Sequence, residues 1–561
     1  MTSRIPFRFH RISSFFLLTV LLSCGGGGGG GGSGGGVAAF VAPPSTCIGT
    51  LPNPGPDSIS DPLYADQWHL KNTGQAGGTP GEDINVEPVW ANYKGDGLRI
   101  AVVDDGLEIA HEDLADNVVD GCSYDYIDRD ANPDSGDYSH GTSVAGLAAA
   151  RDLNDLGVRG AAPHAYLVGY NVLQNLTTQN EADAMIRYIS SVAIFSNSWG
   201  APDYTGFLYP SNATWRNAVE TGLAAGRGGL GAIYTWAAGN GDTGACPSVG
   251  CVDNSNYDGQ ANSRGVIAVG AVNDQGVKSS YSERGANLWV SAPGGEFCDT
   301  HAITTTDRSG SAGFNDNGNN IEFGNVDYPD GNYTKCFNGT SAATPLVSGT
   351  IALMLQANPN LGWRDVRLIL AQTARKNDPA DSDWTTNGAG YNINHNFGFG
   401  VVDAQAAVTA AQTWTNVGPE VTFATALSSP NLAIPDCPTQ SCNPGTTTGV
   451  SNTITVNGSG INSIEFVEIT FSANDHTYFG DLQATLTHVD TGTQSILAER
   501  HICLDSQQNI VQCTPSYNRW VFGSARHLGE AADGNWTLTV KDLAGGDKGH
   551  FKSWMLKFYG S

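Results

Sequence analysis

Five short apolar runs, LRIAVVDDG, AYLVGYNVL, SVAIFSNSWG, GAIYTWAAGNG and GVIAVGAV, recur between residues 98 and 272, with helical stretches such as HGTSVAGLAAA between them. Runs this short and this uniformly apolar have no polar face, so strands made of them are buried on both sides. Strands separated by helices pair in parallel, because a parallel neighbour is reached only through a crossover. The pattern predicts an α/β body with a mostly parallel central sheet covered by helices, whose functional groups gather beyond the carboxyl ends of the strands. From about Thr415 the period changes to two, in IEFVEITF, DLQATLTHV, NWTLTVKD and WMLKFYG. That alternation, punctuated by turn residues, predicts an all-β sandwich.

The chain ahead of the body carries a different kind of information. Arg4, Arg8 and Arg11 precede an apolar run from Phe15 to Leu22, the layout of an export signal over residues 1–23. The run is too short to cross a bilayer. Leu21-Leu22-Ser23-Cys24 resembles the lipobox of bacterial lipoproteins, in which the cysteine is acylated, and the glycine run with the Pro-rich sequence after it reads as a tether over residues 24–60. The expected division is then signal 1–23, tether 24–60, α/β body 61–414 and β module 415–561, in a protein that is secreted or anchored at the cell envelope by lipid. Eleven cysteines are an odd set, and setting Cys24 aside leaves an even one for disulfides. Cys246 with Cys251, Cys437 with Cys442 and Cys503 with Cys513 stand close enough for local staples, with Cys298 and Cys336 a further pair. No C-x-x-C pair is present, which disfavours zinc.

Charge narrows the partners. With 28 Lys and Arg against 55 Asp and Glu the net charge is −27, which repels nucleic acid and anionic membrane surfaces and attracts metal cations and basic peptides.

The chemistry begins at FNGTSAATP, where Ser341 sits among small residues. A serine hydroxyl is a weak nucleophile until a base, an orienting carboxylate and an oxyanion site surround it. Asp104 ends the first apolar run, His140 opens HGT, and Ser341 opens GTSAATP. The order Asp, His, Ser is one of the known orders of a hydrolase triad. Asn240, in WAAGNG, offers a side-chain amide to the oxyanion beside the Ser341 backbone N–H.

VVDDG, HGT, SNSWG, WAAGN and GTSAATP, in that order, resemble the subtilase family, and within it the kexin and furin-like branch of the proprotein convertases. GDLQATLTH, GNWTLTVKD and WMLKFYG resemble the P domain that accompanies this branch. The resemblance covers about Asp61 to Ser561 and implies a subtilisin-like fold followed by a jelly-roll-like P domain. It also implies a serine endopeptidase that cuts protein or peptide substrates after paired basic residues. Asp258 matches the S1 carboxylate that meets a P1 arginine; Asp105 and Asp137 match S2 carboxylates; Ser198, Trp199 and Gly200 belong to the substrate-binding motif. Glu181 matches an S4 residue, while the stretch near Tyr209 has no second acid, which leaves P4 preference open.

The resemblance further implies calcium. Asp61, Asp113, Asn154 and the carbonyls of Arg151, Leu156 and Val158 match one site; Asp203, Asp253 and Glu283 match a second; Asp125, Asp130 and Asn132 resemble a third. Family members carry a long folded prosegment, whereas here only the glycine run and a short Pro-rich stretch lie between Cys24 and Asp61. Folding is therefore expected to be unaided or helped in trans. Two other readings stand beside the dibasic endopeptidase: a subtilase of broader specificity, and a non-catalytic surface protein that binds through its β module.

Overall fold

The computed structural model describes residues 42–52, 58, 60–134, 136, 140–242, 253–298, 301–514 and 516–561. The calls on the export signal, Cys24, the glycine run, Asp137 and the Cys246–Cys251 pair lie outside these residues.

The five apolar runs and one further strand form a six-stranded sheet of order β2-β1-β3-β4-β5-β6. Its strands are β1 (Arg99–Val103), β2 (Tyr166–Tyr170), β3 (Ile194–Asn197), β4 (Ile233–Ala237), β5 (Val266–Val272) and β6 (Val290–Pro293), and every pairing is parallel. All residues of β3, β4, β5 and β6 are buried, as continuous apolar runs demand. Helices α1 (His140–Ala149), α2 (Thr178–Ile186), α3 (Ala213–Ala225) and α4 (Thr340–Ala357) cover the sheet. In α4 every residue from Thr340 to Leu355 is buried, so the helix that begins at Ser341's neighbour is core. Hydroxyls tie it to the sheet: Ser348 bonds Thr235 of β4 at 2.7 Å and donates to Ser196 of β3 at 2.9 Å.

The β module packs two four-stranded antiparallel sheets face to face. One contains 421–424, 553–560, 464–472 and 520–524; the other contains 450–456, 534–542, 482–488 and 494–498. Strand Leu482–His488 alternates buried and half-buried residues along its whole length, the period of two that the sequence carries. Phe471, Trp536, Trp554, Phe551 and Phe558 fill the space between the sheets. The two units are joined by a buried ion pair in which Arg364 Nε donates to Glu465 Oε2 at 2.7 Å.

Among the described residues four disulfides close: Cys298–Cys336, Cys437–Cys442 and Cys503–Cys513, as expected, and Cys47–Cys122, which spans 75 residues. The last holds an extended N-terminal segment on the body, where Thr50 and Asp120 also form a β-bridge. Among the described residues no helix is long and apolar enough to cross a membrane.

Candidate active site

The sheet order reverses between β1 and β3, the position where a doubly wound sheet opens a crevice at its carboxyl edge. Asp104 directly follows β1 and Ser198 directly follows β3, while Asn240 lies three residues past β4. Asp104 is fully buried; its Oδ1 accepts the Asp105 N–H at 2.8 Å and lies 2.8 Å from His140 Nδ1. His140 is the first residue of α1 and packs on Phe337, ring centroids 5.4 Å apart. Burial alone lowers the imidazole pKa. The Asp104 carboxylate and its hydrogen bond, with the charges of Asp105 and Glu322, outweigh burial and bring it up to about 9.

Ser341 stands at the start of α4 because the turn before it demands glycine: Gly339 has φ 99°, in the left-handed region. Tyr281 fixes that turn, accepting the Gly339 N–H at 2.8 Å while donating to Gly294 O at 2.7 Å. Four residues on, Pro345 lacks the N–H that would bond the Ser341 carbonyl within the helix. The Ser198 hydroxyl takes that carbonyl instead, at 3.0 Å, and the Ser341 hydroxyl donates to Ser198 O at 3.1 Å. Asn240 is held through its side-chain oxygen, which accepts both the N–H and the hydroxyl of Thr340, at 2.8 and 2.9 Å. Asp104 and His140 thus form one hydrogen-bonded pair, and Asn240 meets the helix start that carries Ser341, whose hydroxyl is turned to Ser198.

Beside them lies a pocket lined by Ala201, Pro202, Ala238, Gly239, Asp258 and Glu283. Asp258 Oδ2 accepts the Ala201 N–H at 2.7 Å, and Oδ1 accepts those of Gln260 and Ala261 at 2.6 and 3.1 Å. Burial raises its pKa against these bonds. A Cβ on Gly200 would stand 2.7 Å from Asp258 Oδ2, so glycine is what lets the Ser198–Gly200 segment pass over the carboxylate. Trp199 packs on Trp236 at 4.6 Å. Asp105 serves first as a helix cap: its carboxylate accepts the His140 and Gly141 N–H groups at 3.2 and 2.8 Å. Burial and the neighbouring Asp104 charge raise its pKa to about 7. Glu181 is buried, with its oxygens bonded to Gln260 Nε2 at 2.8 Å and Asn212 Nδ2 at 2.5 Å.

The three expected cation clusters differ in kind. Asp203, Asp253 and Glu283 are brought together next to the pocket, and burial raises all three pKa values, to about 6 for Asp203 and about 7 for Asp253. The charges of Asp203 and Asp253 push Glu283 up further. Among the described residues no ion pair reaches any of the three, so the cluster when ionised holds negative charge without a counter-ion, and its oxygens are of the donor type a hard dication takes. In the first cluster Asp113 is bonded by Asn154 Nδ2 and Val158 N, at 2.8 and 2.9 Å, and burial lifts its pKa to about 7. Arg151 and Leu156 lie on the same loop, bonded to Asp113 O and Asn154 Oδ1. Asp61, however, pairs with Arg159, whose Nε donates at 2.7 Å. A guanidinium therefore already neutralises half of that cluster. In the third, Asp125 Oδ1 accepts from Ile127 and Asp128, Asp130 Oδ1 from Asn132, and Asn132 Oδ1 from Asp134. Those bonds are turn caps; they order the loop without cancelling the two carboxylate charges, which no ion pair among the described residues reaches.

Sequence reasoning missed Thr340, Tyr281, Phe337 and Glu322, which surround the triad. Phe337 and Thr340 stand inside FNGTSAATP; Tyr281 and Glu322 reach the site through contacts that no spacing encodes. Among the described residues, the two groups of His, Cys, Asp or Glu whose ligand atoms all lie within 4.8 Å of one another are in the β module, and Asp203, Asp253 and Glu283, set wider apart, are not one of them. The sulfurs of one, Cys503 and Cys513, are joined in a disulfide, and in the other His488 and His527 each lie 3.1 Å from Glu530 Oε2, within hydrogen-bond reach.

Residues 95–400 match the subtilase family and residues 464–558 the proprotein convertase P-domain. The chain belongs to the subtilase family. Among curated subtilases it is 34% identical over 516 residues to human proprotein convertase subtilisin/kexin type 7, covering 90% of this chain and 60% of that one. It is 32% identical over 511 residues to Saccharomyces cerevisiae kexin, covering 90% and 57%. The chain thus spans about three fifths of the length of these relatives. A crystal structure of a serine protease of Aeromonas sobria superimposes with a TM-score of 0.77 at 29% identity, covering 93% of this chain and all of that one. The same protease in complex with a chaperone gives 0.76 at 28% identity, covering 92% and 99%. The subtilisin-like fold with a β-rich P domain is therefore shared with known serine proteases.

Proposed function

We propose that this subtilase is an exported, calcium-dependent serine endopeptidase that cuts after basic residues, preferably pairs of them. The observation that carries the reading is the buried Asp258 carboxylate at the pocket beside Ser341 and Ser198, where a guanidinium would meet two fixed oxygens. Ser341 attacks the scissile carbonyl; its proton passes to His140 Nε2 and then to the leaving amine. Asp104 fixes the proton on Nδ1 and stabilises the imidazolium. Asn240 and the Ser341 N–H stabilise the oxyanion, with Thr340 keeping the amide from turning over. Asp105, and Asp137 beyond the described residues, favour lysine at P2, while Ser198, Trp199 and Gly200 line the substrate backbone. Glu181, buried and doubly bonded, supports the Asp258 wall through Gln260 rather than offering an open S4 charge.

Calcium is assigned first to Asp203, Asp253 and Glu283, where it would supply the missing positive charge and hold the pocket loops. Asp61, Asp113, Asn154 and the carbonyls of Arg151, Leu156 and Val158 form a second place for it once Arg159 swings aside. Residues 1–23 are read as an export signal, Cys24 as a lipid-bearing residue and 24–60 as a tether, ahead of a peptidase unit 61–414 and a P domain 415–561. The chaperone bound to the Aeromonas sobria protease supports a folding helper in trans.

Two matched fluorogenic peptides, ending in Lys-Arg and in Ala-Phe, test the reading in calcium with Ser341→Ala as background. Faster cutting of Lys-Arg by a factor of about 100 or more, lost in Asp258→Asn, is the expected result. Equal rates would leave a broader subtilase, and no cutting by a folded protein would favour the binding-protein reading. Mass spectrometry of Cys24 in the membrane fraction tests the anchor.

A further inference from the structure

Both walls of the Asp258 pocket are gripped from outside by the β-sandwich. On one wall, Thr205 and Gly206 donate their N–H groups to the Asp253 carboxylate, at 3.0 and 2.6 Å. The carbonyls of the same two residues face the other domain. Leu504 N–H donates to Thr205 O at 2.9 Å, and His501 Nε2 lies 3.0 Å from Gly206 O. On the opposite wall, Tyr257 immediately precedes Asp258 and its hydroxyl stands 3.2 Å from His501 Nδ1. Glu499 N–H donates to that hydroxyl, also at 3.2 Å. One residue earlier, Asn256 exchanges two hydrogen bonds with Gly523, at 3.1 and 2.7 Å, and accepts the Trp520 indole N–H on its carbonyl at 3.1 Å.

His501 is the piece that touches both walls. It is 2% exposed, its ring centroid is 4.8 Å from that of Tyr257, and it projects from a hairpin closed by Cys503–Cys513. Glu499 O lies 2.8 Å from Nδ1 as well, so a doubly protonated ring would bond carbonyls on both sides. Burial holds the His501 pKa down to about 4, and the neutral ring has one N–H to give. With that proton on Nε2, His501 donates to Gly206 O and its Nδ1 is placed to accept the Tyr257 hydroxyl, which also lies 3.3 Å from Glu499 O; the ring thus bridges the Thr205–Gly206 segment that holds Asp253 and the Tyr257–Asp258 segment.

We infer that His501 and Tyr257 are positioning residues for the substrate pocket, so that the P domain, together with the Tyr209–Tyr257 backbone bond inside the body, sets the spacing between the Thr205–Gly206 segment that holds Asp253 and the Tyr257–Asp258 segment, and belongs to the recognition apparatus. The inference rests on Asp258 being the carboxylate that receives the P1 side chain. Cohesion of the two domains has its own device in Arg364 and Glu465, on another part of the interface. The hairpin at 501–513 instead converges on Thr205–Gly206, which bond the Asp253 carboxylate, and on Tyr257, which precedes Asp258.

The test uses the full chain with His501→Ala, His501→Gln and Tyr257→Phe. Three quantities are compared: KM and kcat on the Lys-Arg peptide, the same on the Ala-Phe peptide, and the rate at which a small fluorophosphonate, which places no side chain in the pocket, modifies Ser341. The expected result for His501→Ala is a rise in KM for Lys-Arg of about tenfold, with kcat and the modification rate changed less than about twofold. His501→Gln, which keeps an N–H donor, recovers most of the loss. A KM that stays put, or a parallel fall of all three quantities, overturns the inference. If His501→Ala does not fold, Tyr257→Phe, which removes a single oxygen, decides: a KM rise of about threefold supports the bridge and no change overturns it. Equal cutting of both peptides by the wild type sinks the Asp258 assignment separately; the bridge is then read from the KM of the peptide that is cut best, and falls if His501→Ala leaves it unchanged.

Discussion

Ser341 and Ser198 hold one another by a reciprocal pair of hydrogen bonds, each hydroxyl donating to the other's carbonyl, at 3.1 and 3.0 Å. A hydroxyl has one proton to give, so Ser341 turns away from Ser198 before His140 receives it. Removing the Ser198 hydroxyl leaves the buried Ser341 carbonyl without a donor, because Pro345 supplies none. Ser198→Ala is expected to lower stability by about 1–3 kcal/mol in urea titrations while peptide hydrolysis changes only a few-fold.

Asn240 and Thr340 make a second pair. Asn240→Ala removes an oxyanion donor and is expected to lower kcat by about 100- to 1,000-fold with KM little changed. Thr340→Val keeps the size of the side chain but frees one of the two bonds on the Asn240 oxygen. Its kcat falls between those of the wild type and Asn240→Ala, and steady-state kinetics on one peptide ranks all three.

The His140 imidazole must be neutral to take the Ser341 proton, yet its pKa stands raised to about 9 from an ordinary 6.5. Activity therefore rises with pH, by about tenfold per unit below that pKa. The charged ring also stabilises the fold: the contribution is complete below the unfolded value of 6.5 and is lost as pH climbs through about 9. Asp105→Asn removes one of the charges that raise the pKa, so the acid limb of kcat/KM is expected to move to lower pH. The profile is measured on a peptide with a neutral P2 residue.

Chelation is expected to act on Asp203, Asp253 and Glu283. Without a cation their ionised forms are buried and mutually repelling, and their folded pKa values, about 6 and 7 for the two aspartates, lie above the ordinary 3.8. Such groups favour folding only when protonated, so that part of the stability grows as pH falls through 7 toward 4 and is missing above. In EDTA the protein is expected to melt at a lower temperature at pH 8 than at pH 5.5. Calcium reverses the order, adding about 2.7 kcal/mol at a hundredfold excess over its Kd and adding most at pH 8. A calcium response independent of pH overturns the assignment of these three acids.

Much of this arrangement is legible in the chain because it is local. Continuous apolar runs become parallel strands, alternation becomes the sandwich, and Gly339, Ser341 and Pro345 announce a strained turn, a helix start and a carbonyl that the helix leaves free. What stays hidden is set by distance along the chain. Asp105 looks like a pocket acid, and only the start of α1, 35 residues away, reveals that it also caps a helix. Asp61 resembles a pure cation ligand until Arg159, 98 residues away, is found against it. His501 has no motif around it at all. Its role appears only when two domains close on each other.

The Cys47–Cys122 bond decides how the folded body responds to being pulled. If the chain is tethered at its N-terminus, tension arriving at Cys47 passes straight into the loop at Cys122, which lies along the edge strand β2, and the N-terminal segment cannot be peeled from that loop. The load bypasses the catalytic crevice, so an anchored enzyme would keep its geometry while shear drags on a bound substrate.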